Sequence, residues 1–162
     1  MTVSELVEIL ITDPTKRITI NGKTKSIAGF AEFRTVNMGD DGYFKITFED
    51  HSFLLLIPSQ NILMFTDEGT PYYMEILDEE IGVKKELLFR GKKYILDNAN
   101  DYQYVVRLIK GDYKVIEGEV RFSDYVLANG DNELLSLGWI VKTGQRADVN
   151  PKEISIHDIS IV

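Results

Sequence analysis

The chain has 162 residues, no cysteine and a formal net charge of −8, with 44% hydrophobic and 27% charged residues. That length suits one domain with a sizeable core, and the composition is that of a globular rather than a disordered chain. The lack of cysteine excludes disulfides, thiolate metal sites and cysteine nucleophiles, and an acidic chain repels phosphate backbones and anionic lipid, so nucleic-acid binding is not expected.

The charge is uneven. Residues 1–80 hold 6 Lys and Arg against 14 Asp and Glu, whereas residues 81–162 hold 12 of each. An acidic half either keeps the protein soluble or steers a basic partner toward it. The opening "MTVSELVEILIT" carries Glu5 and Glu8 and no base, unlike a secretory leader. The longest apolar runs, such as Phe53–Ile57, are far too short to span a bilayer. A cytoplasmic protein without direct membrane insertion is the reading.

In chain order, Thr2–Thr12 predicts a short amphipathic helix, with Val3, Leu6, Val7 and Leu10 on one face. Thr2 and Glu5 have capping-box spacing, Ser4 being an alternative cap, and Asp13-Pro14 stops the helix. From Lys16 the periodicity turns to strands. "RITI" meets the turn "NGK", and "KSIAGFAEFRTV" is a long strand with Gly29 a candidate bulge. "GDDG" at 39–42 is a turn, and "YFKITFED" alternates, with its phenylalanines on the buried face. "HSFLLLI" returns as far as Pro58, and "NILMFTDEG" with "YYMEIL" reads as the next pair of strands. The polar "DEEIGVKK" at 78–85 separates two halves.

The second half starts over with "ELLFRGKKYIL", a hairpin candidate at Arg90-Gly91. "YQYVVRLIK", "KVIEGEVRFSDYVL", "ELLSLGWIVKTG" and "EISIHDISIV" follow, with Asn129-Gly130 carrying the signal of a type I′ turn. The pattern predicts an all-β fold, a mainly antiparallel barrel or sandwich with a short N-terminal helix. The organisation expected is one structural domain over 1–162, with the helix at 1–13 and β-units at 17–78 and 86–162. "INGKTKSI" at 20–27 and "FRGKKYIL" at 89–96 echo each other. Either the two units are related, or hairpins simply favour Gly flanked by polar residues.

Chemistry is sparse. His51, beside Glu49 and Asp50, reads as a solvated turn rather than a metal site, and His157 reads as an outward residue on a terminal strand. "DNAND" at 97–101 fails the calcium-loop pattern, with Ala99 at a ligand position and Tyr102 at the glycine position, and reads as a loop. Neither Gly-Lys pair is a phosphate loop. No catalytic residue, metal ligand or cofactor is expected. Tyr72 and Tyr73 after Pro71 suit either a recognition surface or a sheet. With the acidic residues Asp40, Asp41, Asp78, Glu79 and Glu80, they are the candidate contacts for a protein partner, basic or membrane-associated.

"FRGKKYIL", "GEVRFSDYVL" at 118–127, "NELLSLGWI" at 132–140 and a closing "EISI" resemble a family of uncharacterised bacterial β-rich domains. The family is a domain of unknown function, similar in setting to genes of phage-shock-type membrane-stress systems. Its motifs fall on Gly91–Tyr94, Phe122–Tyr125 and Leu134–Leu137. "INGKTKSIAGFAEF" and "GYFKITFED" fit more loosely. The resemblance implies no activity. It implies a non-enzymatic interaction module, an accessory protein of an envelope-stress or defence-type system. The alternatives are an immunity-type inhibitor that neutralises a basic toxin through its acidic face, and a barrel enclosing a small apolar ligand.

Overall fold

The structure, a computed structural model, describes residues 1–37, 42–112, 118–130 and 132–162. Helix α1 (Val3–Thr12) begins at a complete capping box. Glu5 N donates to Thr2 Oγ1 at 3.1 Å, and Thr2 N donates to Glu5 Oε2 at 3.4 Å. Its buried residues are Val3, Leu6, Val7 and Leu10, the face read from the spacing. A ten-residue helix is marginal alone. Here it is docked on a sheet, and Asn61 Oδ1 accepts from Val3 N at 2.9 Å.

The rest is antiparallel β-structure. A small sheet joins β1 (Ile18–Ile20) to β2 (Lys23–Lys25) on one side and to the C-terminal β12 (Ile159–Ile161) on the other. The large sheet contains β3 (Ile27–Thr35), β4 (Tyr43–Phe48), β5 (Phe53–Ile57), β6 (Ile62–Thr66), β7 (Glu86–Phe89), β8 (Lys92–Lys110), β9 (Val120–Leu127), β10 (Leu134–Ile140) and β11 (Lys152–Ile154). Its order is β10-β9-β8-β3-β4-β5-β6-β11, with β7 paired to β8. The sheet curls into a half-barrel. The segment 145–153 crosses the open side. Leu134 N donates to Pro151 O, Ser136 and Val149 exchange two bonds of 2.9 Å, and Ala147 N donates to Gly138 O. The same segment runs on into β11, which pairs with β6.

The two echoing stretches are the same local device. Asn21 and Gly22 (φ +50° and +82°) and Arg90 and Gly91 (φ +51° and +76°) form two-residue turns with both central φ positive. That is the type I′ geometry, whose twist matches the strands it joins. Ile20 faces Lys23 across one turn and Phe89 faces Lys92 across the other. The long strands that follow, β3 and β8, pair with each other at the middle of the large sheet. Strands then succeed one another outward in chain order on both sides, β4-β5-β6 on one and β9-β10 on the other.

Each half has an apolar cluster on one face of the sheet. Phe44, Ile46, Phe48, Leu54, Leu56 and Leu63 pack against α1 and the small sheet. Tyr125, Leu127, Leu135 and Leu137 pack under Tyr73, Ile76, Ile81, Leu87 and Phe89. Tyr125 Oη ties that cover down, accepting from Gly82 N at 3.1 Å and donating to Lys84 O at 2.7 Å.

Several expectations are corrected. The "YYMEIL" stretch is not a strand but part of this cover, because Tyr73 and Ile76 point into the cluster while Tyr72, Met74 and Leu77 point out. "DNAND" is not a loop. It is a bulged stretch inside β8, with register shifts on both sides of Asn98 and Asn100 at φ +54°. The bulge turns on Asp101, which is buried and accepts from Asn37 N, Asn98 Nδ2 and Tyr102 N at 2.7–2.9 Å. "EISIHDISIV" is broken at Ile156–Asp158 by a 3₁₀ turn, which lets β11 stay in the large sheet and β12 join the small one. Gly130 has positive φ and Asn129 does not, so the Asn129-Gly130 pair does not form a type I′ turn. The "GDDG" turn lies mostly outside the described residues. The bulge at Gly29 is present, as a register shift between Ile27 and Gly29.

Gly138 shows how closely β9 and β10 approach. A Cβ there would sit 2.2 Å from Arg121 O and 2.9 Å from Phe122 Cα, both backbone atoms. Gly138→Ala is therefore expected to cost about 1–3 kcal/mol by forcing the strands apart. Urea denaturation checks it, and an unchanged midpoint would contradict this account of the contact.

Candidate functional site

Strand β5 reads "FLLLI", an unbroken apolar run, and its first four residues are buried. Such a run belongs to a strand covered on both faces. Leu54 and Leu56 face α1. Phe53, Leu55 and Ile57 face inward and line a cavity of about 180 Å³ inside the curl of the sheet. Phe122 and Val120 of β9, Leu134 of β10, and Ala147 and Val149 of the crossing segment complete its apolar wall. A wholly apolar cavity of roughly 150 Å³ accepts a benzene-sized guest.

Half of the lining residues carry polar side chains, Tyr43, Lys45, Gln103, Asp124 and Ser136 among them. Tyr43 and Lys45 come from β4, on the face that alternation assigned away from the phenylalanines. Because β5 and β6 continue the curl, that face is the interior of the half-barrel. Tyr43 Oη donates to Gln103 Oε1 of β8, and both residues line the cavity. Burial drives the Tyr43 hydroxyl well above its usual range, with the charges of Asp124 and Asp101 adding to the effect.

Asp124 of β9 also lines the cavity, opposite Ser136 in the β9–β10 register. Burial pushes its carboxyl up to about 7, against the hydrogen bond from Ser136 and with help from Asp97 and Asp101. Its Oδ1 is buried and makes no hydrogen bond. The surface that Asp124 keeps is part of the cavity wall, so a small guest can reach it where bulk solvent does not dominate.

Lys45 is the most unusual group. Four charged residues are buried among the described ones: Lys25, Lys45, Asp101 and Asp148. Lys25 pairs with Asp50, Asp101 accepts three hydrogen bonds, and Asp148 pairs with Arg146. Lys45, only 8% exposed, has no ion pair among the described residues. Its Nζ lies 4.4 Å from the centroid of the Phe53 ring, a cation–π contact. Its ammonium therefore meets one ring face and no carboxylate among the described residues, at a position that lines the cavity.

The residues singled out from sequence lie elsewhere. Tyr73 is 4% exposed and packs on Phe89, with Arg90 over its ring at 4.9 Å, so it presents no recognition surface. Tyr72 is exposed on one side and carries the Arg146 guanidinium 4.5 Å above its ring. Asp78 pairs with that same Arg146 at 2.6 Å. Glu80 pairs with Lys84 at 2.9 Å and accepts from Leu77 N. Glu79 is exposed. Asp40 and Asp41 lie outside the described residues. His51 sits at φ +72° in the β4–β5 turn and His157 in the 3₁₀ turn before β12, both exposed. Among the described residues no group of three or more His, Asp or Glu is arranged to hold a metal ion. No helix among them is long and apolar enough to cross a membrane.

Sequence reasoning missed Lys45 and Asp124. The signal was present in "FLLLI", since a strand buried on both faces places its neighbour's apparent outer face inside. No protein-family model, no curated protein and no solved structure matches this chain.

Proposed function

We propose that this is a non-enzymatic cytoplasmic binding protein whose half-barrel takes up a small, mainly apolar ligand. The observation that carries the reading is the cavity of about 180 Å³, walled by inward side chains of β5, β9, β10 and the crossing segment. Apolar walls with a few placed polar groups are the usual make-up of a small-molecule site. The test is thermal unfolding with a graded series of neutral one-ring compounds, alongside the variant Ala147→Phe, which fills the cavity. Binding to the folded state raises the melting temperature, and the variant is expected to lose that response. A flat response of the wild-type protein to this series and to its anionic and cationic one-ring analogues alike would remove the reading.

A second reading is a protein-interaction module, accessory to an envelope-stress or defence-type system of the bacterial family that the second half resembles. Its support is the set of exposed apolar side chains at Tyr72, Met74, Leu77, Val83 and Leu88, with Met74 78% and Leu88 76% exposed. Exposed apolar side chains favour contact with another protein where they join into one patch. Neutralisation of a basic toxin by the acidic residues draws less support, because Asp78 and Glu80 already have cationic partners within the chain.

A further inference from the structure

Resting on the ligand-cavity reading above, we infer that the ligand is a small monocarboxylate with an apolar body, its head group received by Lys45 and its body lying against Phe53, Leu55 and Phe122. The argument starts from charge. A buried ammonium without a carboxylate partner is costly, and an anion delivered into the cavity supplies the missing counter-charge. The other three buried charged residues, Lys25, Asp101 and Asp148, have partners within the chain, whereas Lys45 has no ion pair among the described residues.

Position decides the rest. Lys45 lies opposite Leu55 in the β4–β5 register, and its Nζ sits over the Phe53 ring. One end of a guest that meets the ammonium therefore has apolar surface beside it. A planar or linear body suits walls made of phenylalanine and aliphatic side chains, and the volume limits it to one ring or a short chain. A cationic guest would meet Lys45 as a like charge. A neutral guest would leave the ammonium as it is.

Asp124 does not contradict an anionic guest. The groups facing it are Asp97 and Asp101 from β8, Tyr43 from β4 and Ser136 from β10. Enclosed among these, its carboxyl is pushed up to about 7, so below neutral pH a guest's carboxylate meets it mainly in its uncharged form.

The experiment is calorimetric titration of the full chain at about pH 6 with phenylacetate, phenylacetamide and phenethylamine, which share one body and differ in charge. The same three head groups on a six-carbon chain separate an aromatic from an aliphatic source. The carboxylate is expected to bind at least about tenfold more tightly than the amide, and the amine most weakly. Lys45→Met should erase the carboxylate preference, and Lys45→Arg should keep part of it. Circular dichroism and the urea midpoint report that each variant is folded. Equal or stronger binding of the amide or amine, or a preference that survives Lys45→Met, would overturn the inference while the cavity reading stands. Failure of all six compounds to bind the wild-type protein would overturn both.

Discussion

Asp148→Ala is expected to lower the unfolding free energy by about 3–5 kcal/mol, the cost of stranding one member of a buried ion pair. Asp148 is 0% exposed, and its carboxylate holds three elements together. It accepts from Arg146 Nε at 3.1 Å and Nη2 at 2.8 Å, from Tyr73 N at 2.8 Å and from Gly138 N of β10 at 3.4 Å. Arg146 in turn donates to Ile76 O at 3.1 Å and to Asp78, and covers the Tyr72 ring. Together the pair fastens the 71–78 stretch, which roofs one apolar cluster, to the crossing segment that spans the half-barrel. Removing Asp148 leaves the Arg146 guanidinium buried without its main counter-charge and frees two backbone N–H groups. The double variant Arg146→Met/Asp148→Ala should recover part of the loss, because no uncompensated charge remains. Urea unfolding of the three variants checks this. A single variant within about 1 kcal/mol of wild type would show that the clamp is dispensable.

Asp124→Asn is expected to make the protein more stable above neutral pH, by on the order of 2–4 kcal/mol. The folded-state carboxyl titrates at about 7 against 3.8 for the free group. Between those values the folded protein holds a proton that the unfolded chain has released. Unfolding free energy therefore falls as pH rises from about 4 to about 7 and is level on either side. The upper figure corresponds to the whole shift, and contact of Asp124 with the cavity reduces it. Asparagine matches the protonated acid in shape but cannot ionise, so the variant should lose this slope. Denaturation midpoints of both proteins at about pH 5 and pH 8 decide the matter. Parallel pH profiles would mean that Asp124 is ionised throughout.

Local patterns that need only neighbouring residues were legible. The α1 face and its capping box follow from spacing and side-chain chemistry within one turn. The hairpin turn at Arg90-Gly91 and the bulge at Gly29 follow from backbone preferences of single residues. Where reading failed, a distant contact had overridden the local signal. "YYMEIL" alternates well enough for a strand, yet Asp148 and Arg146, some seventy residues on, hold its backbone instead of a neighbouring strand. "DNAND" looks like a loop because its residues favour turns, but strands on both sides of β8 take the chain through as a bulge.

The candidate site shows the same division. Composition and periodicity alone determined an antiparallel β-protein with a docked helix, free of cysteine chemistry. They also placed Lys45 and Asp124 on strands. Which face of each strand became interior was decided only when the sheet curled and segment 145–153 crossed its open side. A strand's two faces are equivalent until something covers them. Here α1 and the small sheet cover one face of β4, so the curl encloses the other, together with its ammonium.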